Sequence, residues 1–448
     1  MAIRYEAFAL PYRACFRSGH HDFSPQAIAY LCGLMQSEKR NMERMVEVVP
    51  ETDYQVIQHF LTHSSWDHQA VISQVAKDAD AWLGAEVGTG LYIDESAHTK
   101  KGKKSVGVAR QWNGRLGKTD NCQVAVYGAL GNGKHVGLID ARLYLPKAWT
   151  DDPARCVEAD IPRQHQVHKT KHDLALEIVT QARAQGVRFE WVGVDAHYGM
   201  SLKLLETLDA EQEVFMADIH KDRHIYLTDP APYLPEHRSG KGRKRRRYQS
   251  DATAVEVQAW VKDQPADAWQ RKTLREGEKG KLIVEVLHQR VWLWDKQSAT
   301  TRQWHLLVRR ELNSPQTLKY SLSNAPERAS ILKLAKMQSQ RYWIERAFQD
   351  AKSHLGMGQY QARKWQSWHR HMALVMMAYQ FMLQERMQNI TEYPLLSCYD
   401  IQVLLAKTLP SRQRDEETIF EQIQERHRKR QAAIDSASRR QELSQKTG

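Results

Sequence analysis

The stretch Gly90–Lys104, GLYIDESAHTKKGKK, decides how the chain is read. An apolar run, Leu91-Tyr92-Ile93, delivers a carboxylate, Asp94, at its end. Glu95 and Ser96 follow, and then Lys100, Lys101, Lys103 and Lys104 around Gly102. A short buried strand ending in an acid, beside a loop that attracts phosphate, points to acid-bound metal chemistry on nucleic acid. By itself the pattern also fits a solvated surface loop, so the reading turns on whether Asp94 has partners further along.

The rest of the chain narrows the class. A chain of 448 residues with a formal net charge of +12 is expected to work on a polyanion. Cys15, Cys32, Cys122, Cys156 and Cys398 are scattered and odd in number, with no Cys-x-x-Cys pair. They argue against a disulfide framework or a cysteine zinc site and fit a reducing cytosol. The start, MAIRYEAFALPYRA, lacks the long apolar core of a secretion leader. The most apolar run, Met372 to Leu383, is too short to span a bilayer. A cytoplasmic protein, associated with the nucleoid through its DNA, is expected.

Five segments follow from periodicity. Residues 1–85 read as a helical N-terminal domain, equally a DNA-binding module or a scaffold packed on the next domain, with Ser24-Pro25 opening one helix and with Ile57, Leu61, Val71 and Val75 on apolar faces. Residues 86–218 alternate strands and helices as in an α/β layer. There Gln123 to Leu130 and His135 to Leu145 form a hairpin about Gly131-Asn132-Gly133, Lys171 to Ala184 is helical, and Phe189 to Asp195 is a second apolar run ending in an acid. Residues 219–326 read as a β-rich insertion. It carries the basic loop His237–Arg247, HRSGKGRKRRR, whose Arg243, Lys244, Arg245, Arg246 and Arg247 are candidate DNA contacts. Residues 327–390 supply a long helix after Pro326 and a second, buried one. Residues 391–448 form a charged tail suited to dimer or DNA contacts.

The helix after Pro326 supplies the partners. Arg341, Glu345 and Lys352 are spaced by four and seven residues, within an arc of roughly 40° on one helical face. Asp94, Asp195 and Glu345 together fit one mechanism. Two Mg²⁺ ions, about 3.5–4 Å apart, take oxygen ligands from three carboxylates and polarise a scissile phosphate. Arg341 and Lys352 then hold adjacent phosphates. Asp140 also ends a strand-like run and reads as structural. The run His369-Arg370-His371 lacks the apolar centre of a His-hydrophobic-His metal site, and Tyr342 lacks the Arg/His setting of a tyrosine recombinase.

The order Asp94, Asp195, Glu345 resembles the DDE transposases, and most closely the insertion-sequence 701 family, related to the insertion-sequence 4 group. The resemblance is carried by YIDESAHTKKGKKSVGVARQWNGRLGKTDNCQVAV, LIDARLYLPKAWTDD, WVGVDAHYG, LKYSLSNAP and RYWIERAFQDAKSHLGMGQYQARKW, with QHFLTHSSWD nearer the N-terminus. It covers residues from about 55 to 385. It implies a ribonuclease H-like α/β core with a β insertion between the second Asp and the Glu. It also implies two Mg²⁺ ions, replaceable by Mn²⁺, and cut-and-paste transposition on double-stranded DNA. In that reaction a freed 3′-hydroxyl attacks target DNA, and two ends are joined in a homodimer. The related group's helix signature, Tyr-(2)-Arg-(3)-Glu-(6)-Lys, is met here by Arg341, Glu345 and Lys352, with Gln338 in place of Tyr. In a strand only one of Asp94 and Glu95 faces the site, and the resemblance favours Asp94. A tryptophan in the insertion supports a flipped base in that group, so Trp292, Trp294 and Trp304 are candidates. The rival readings are an inactive transposase-derived DNA-binding protein and a nuclease that cleaves without joining.

Overall fold

The computed structural model describes residues 1–114, 116–235, 247–277, 280–413 and 415–446. The apolar run at Leu91 opens a strand that does not stop at the acid: β1 spans Gly90–Thr99. Nine more strands join it in one sheet. They are β2 (Ala109–Asn113), β3 (Lys118–Gly131), β4 (Val136–Leu143), β5 (Trp191–Val194), β6 (Phe215–Ile219), β7 (Gln270–Gly277), β8 (Gly280–Leu293), β9 (Arg302–Glu311) and β10 (Ser314–Ser323). Their order is β7-β8-β9-β10-β6-β5-β1-β3-β2, with β4 also paired to β3. β1, β5 and β6 are mutually parallel, and the other ladders of the sheet are antiparallel. The β3–β4 turn closes as the sequence predicts. Asn132 Oδ1 accepts from the N–H groups of Lys134 and His135, and Gly133 takes φ +84°, where a Cβ would be strained.

The main helices are α1 (Ala2–Ala9), α2 (Ser24–Gln36), α3 (Tyr54–Thr62), α4 (His68–Leu83), α5 (Lys171–Ala184), α6 (Leu202–Ala210), α7 (Ile331–Gln340), α8 (Tyr342–His354), α9 (Trp365–Gln388), α10 (Cys398–Thr408) and α11 (Glu416–Lys446). Alternation along the strands sorts their side chains into two cores. Leu91, Ile93, Val192 and Val194 meet Leu174 and Ile178 of α5 and Leu205 of α6 on one face. Tyr92, Tyr127 and Leu138 meet Trp368, Met372 and Met376 of α9 on the other. The sheet is thus the middle of three layers.

The helices of residues 1–85 share the α9 core: Tyr12, Tyr30, Phe60 and Trp66 belong to the same cluster as Trp368 and Met372. Arg370 ties them down, donating to the carbonyls of Leu61, Ser64 and Trp66. The β-rich segment is continuous with the main sheet, because β10 pairs with β6. Its longest strand, β8, runs unbroken over Gly280–Leu293. The helix expected from Glu327 starts at Ile331 under a Ser330 cap and is interrupted at Arg341. Strand β2 carries no clear alternation and escaped the sequence reading. Of the basic loop, Arg243 to Arg246 lie outside the described residues, and Arg247 is exposed. No helix among the described residues is long and apolar enough to cross a membrane.

Candidate active site

The parallel ladders put the acids in register. β1 pairs Ile93 with Val194 of β5, and Val194 pairs with Ala217 of β6. One residue on, just past the last parallel pairs, come Asp94 and Asp218 within β1 and β6, and Asp195 at the carboxyl end of β5. Alternation puts Asp94 and Asp218 on the face of Tyr92 and Met216. Asp195 also caps a four-residue helical turn, Ala196–Gly199, accepting from the N–H groups of His197 and Tyr198 at 3.0 and 3.3 Å.

Helix α8 lies over this row. Phe348 packs edge-on against Tyr127, with ring centroids 5.2 Å apart, and Tyr127 is the residue opposite Asp94 in the β1–β3 ladder. The contact brings Glu345, about one turn earlier, into the charge cluster of Asp94. Arg341 connects the groups. Its Nε donates to Asp218 Oδ2 at 3.0 Å, its Nη1 reaches Asp94 Oδ2 at 3.4 Å and its Nη2 donates to Glu345 Oε1 at 2.8 Å.

Four carboxylates around one guanidinium leave the cluster short of positive charge. Burial first, and the charge of Asp195 next, push the Asp94 pKa up to about 8, against the pull of Arg341. Burial also raises Asp195, again opposed by Arg341. The donors are hard oxygens, without a thiolate among them, so they suit Mg²⁺ or Mn²⁺. As the side chains stand, no three His, Cys, Asp or Glu groups among the described residues are close enough to hold an ion. Arg341 is bound to three of the acids instead. The Glu345 side chain is 56% exposed.

Glu95 points to the opposite face. Lys171 Nζ donates to its Oε1 at 2.6 Å, and the Tyr198 hydroxyl donates to its Oε2 at 3.4 Å. The lysine loop is not uniform. Lys100 turns inward, its ammonium donating to the Tyr360 carbonyl at 2.9 Å and lying 3.9 Å from that ring's centre. Burial lowers its pKa to about 8. Lys104 pairs with Glu158 at 2.7 Å, while Lys101 and Lys103 are exposed. Lys352 lies on α8 beyond Glu345, its ammonium 5.7 Å from the Phe348 ring centre.

Trp304 is core, 3% exposed and edge-on to Phe215, and offers no face to a base. Trp292 and Trp294 are half-buried, and the indole N–H of Trp294 donates to the Ser298 carbonyl. Asp140 is held by Arg142 at 2.9 Å. His371 Nδ1 is 2.8 Å from the Tyr30 hydroxyl inside the core, so the His369-Arg370-His371 run has a packing role. Asp218 is the carboxylate the sequence reading passed over. Its signal was a third acid after a strand-like run, Val214 to Ala217.

A profile of the DDE superfamily endonucleases matches residues 11–281, more than half of the chain. That segment contains Asp94, Asp195 and Asp218; α8 lies beyond it. A probable transposase for insertion sequence element IS701, from Microchaete diplosiphon, is 27% identical over 204 residues. The alignment takes in 42% of this chain and 47% of that protein, about half of the relative's length. The NurA nuclease from Sulfolobus solfataricus aligns over 61% of this chain and 83% of its own, at 8% identity and a TM-score of 0.23, a likeness that carries no argument. The chain belongs to the DDE superfamily endonucleases.

Proposed function

We propose that the protein is a DNA transposase that cleaves at the terminal inverted repeats of an insertion sequence and joins the freed 3′-hydroxyl ends to target DNA. The observation that carries the reading is the register of the parallel strands. It sets Asp94 beside Asp195, under a helix bearing Glu345, in a chain of this family. We read β4, β3, β1, β5 and β6 as the ribonuclease H-like core.

Asp94, Asp195 and Glu345 are the residues that would hold two Mg²⁺ ions, with Mn²⁺ as a substitute. Bound there, the ions would polarise the scissile phosphate and lower the pKa of the attacking water or 3′-hydroxyl. The chain's own cations do the positioning. Arg341 offers a planar fork to a phosphate beside the scissile one, and Lys352 a point charge further along α8. Lys101 and Lys103 are exposed and offer further phosphate contacts, the basic run Arg243 to Arg247 is proposed as a DNA contact on its charge alone, and the N-terminal helices add contacts to the repeat. Trp292 and Trp294 remain the candidates for stacking on an extruded base. Two ends meet at one target in a homodimer.

Joining separates this reading from a nuclease that only cleaves. Purified protein is mixed with labelled, pre-cleaved element ends and a supercoiled target in Mg²⁺. Covalent end–target products support transposition. Cleavage of intact ends without any joined product would overturn it.

A further inference from the structure

Asp218 is not among the three acids assigned to the ions, yet it too accepts a hydrogen bond from Arg341. Its two oxygens have different partners. Oδ2 accepts from Arg341 Nε at 3.0 Å, and Oδ1 accepts from the Ser321 hydroxyl at 2.6 Å. Ser321 sits opposite Asp218 in the β10–β6 ladder, so the pairing is set by sheet register. The Ser321 oxygen in turn accepts from Gln338 Nε2 at 2.8 Å, and the same amide donates to the Lys319 carbonyl at 3.3 Å. Ser321 and Gln338 are 0% and 4% exposed. The Ser321 hydroxyl, itself held by Gln338, and Arg341 Nε thus each donate to a different oxygen of Asp218, which orients its carboxylate.

We infer that Asp218, braced by Ser321 and Gln338, is a positioning residue that anchors Arg341 and so frees Asp94 and Glu345 for divalent cations. The inference rests on the proposed function. Arg341 and a cation compete for the same two carboxylates, since Arg341 contacts both. With Asp218 present, the guanidinium keeps a charge-assisted bond when those two acids turn away, and it stays beside the site to meet a phosphate. Without Asp218, its only carboxylate partners are the acids that the cation needs.

The test is Mn²⁺ binding to the full chain, by calorimetry and by electron paramagnetic resonance, in the absence of DNA. Asp218→Asn is expected to weaken binding at least fivefold. Arg341→Gln is expected to tighten it. The double variant should bind like Arg341→Gln alone, a dependence that a merely structural role would not show. Ser321→Ala, which keeps both charges, should weaken binding in the same direction by about twofold, and guards against misfolding of Asp218→Asn. An Asp218→Asn effect that persists undiminished in the Arg341→Gln background would make Asp218 a ligand and overturn the inference. So would no effect in either background. Asp94→Asn is the control for the underlying reading. If it leaves Mn²⁺ binding intact, the metal site itself fails and the role of Asp218 falls with it.

Discussion

At the residue scale, Asp94 is a carboxyl group that the fold holds at a cost. Its pKa is raised from 3.8 to about 8 by burial and by Asp195. The folded state therefore binds this proton more tightly than the unfolded chain does. Its contribution to stability is full below about pH 4 and is lost as the pH rises towards 8. Asp94→Asn should consequently raise the Tm of metal-free protein by a few degrees at pH 8, with a gain that shrinks towards pH 5, while abolishing cleavage. The Asn oxygen can still accept from Glu95 N–H, which donates to Asp94 Oδ1 at 2.7 Å. A melting series in EDTA checks this, and an unchanged or lower Tm at pH 8 would contradict it. Glu95→Gln should behave differently: it weakens the bond to Lys171 on the other face and leaves metal-dependent cleavage within a few-fold of wild type. Loss of cleavage in that variant would move the first acid by one position.

At the element scale, α8 buries Ile344, Ala347, Phe348 and Ala351, and Phe348 makes the aromatic contact next to the site. Phe348→Ala removes the ring that packs on Tyr127 and should cost roughly 3–5 kcal/mol, the usual range for a buried Phe. Cleavage should fall at least tenfold with DNA affinity nearly kept, because Glu345 loses its support and the phosphate track does not. Chemical unfolding and a gel-shift assay measure the two effects separately. The acids of this site were legible because each ends an apolar run or sits at helical spacing from an arginine. The register that aligns them was not, since a strand pair leaves no local signature of which residue faces which. Lys100 shows the same limit. Its sequence neighbours are exposed lysines, and only the return of the chain at Tyr360 turns it inward. Asp218 was passed over because its significance comes from Ser321 and Arg341, both more than a hundred residues away.

At the scale of the whole molecule, one sheet and one buried helix organise the chain. The periodicity of residues 1–85 showed helices, yet it could not show that they wrap α9, because apolar faces do not name their partners. The β-rich segment likewise announced its strands without revealing that β10 pairs with β6. Arg370 tests this architecture. Arg370→Met leaves the carbonyls of Leu61, Ser64 and Trp66 without their donor, at roughly 1–3 kcal/mol for each group left unsatisfied. The N-terminal helices should then become sensitive to limited proteolysis well below the melting temperature of wild type. Protection equal to wild type would show that they hold to α9 without this residue.

The central claim is that Asp94, Asp195 and Glu345 act as one metal-dependent centre on DNA. The most direct measurement is cleavage of labelled DNA carrying the element ends, in Mg²⁺, by wild type and by Asp94→Ala, Asp195→Ala and Glu345→Ala, with DNA binding followed in parallel. The account predicts cleavage by wild type that EDTA abolishes, no cleavage by any of the three variants, and retained binding by all of them. Cleavage that survives in any one variant, or proceeds in EDTA, would contradict it.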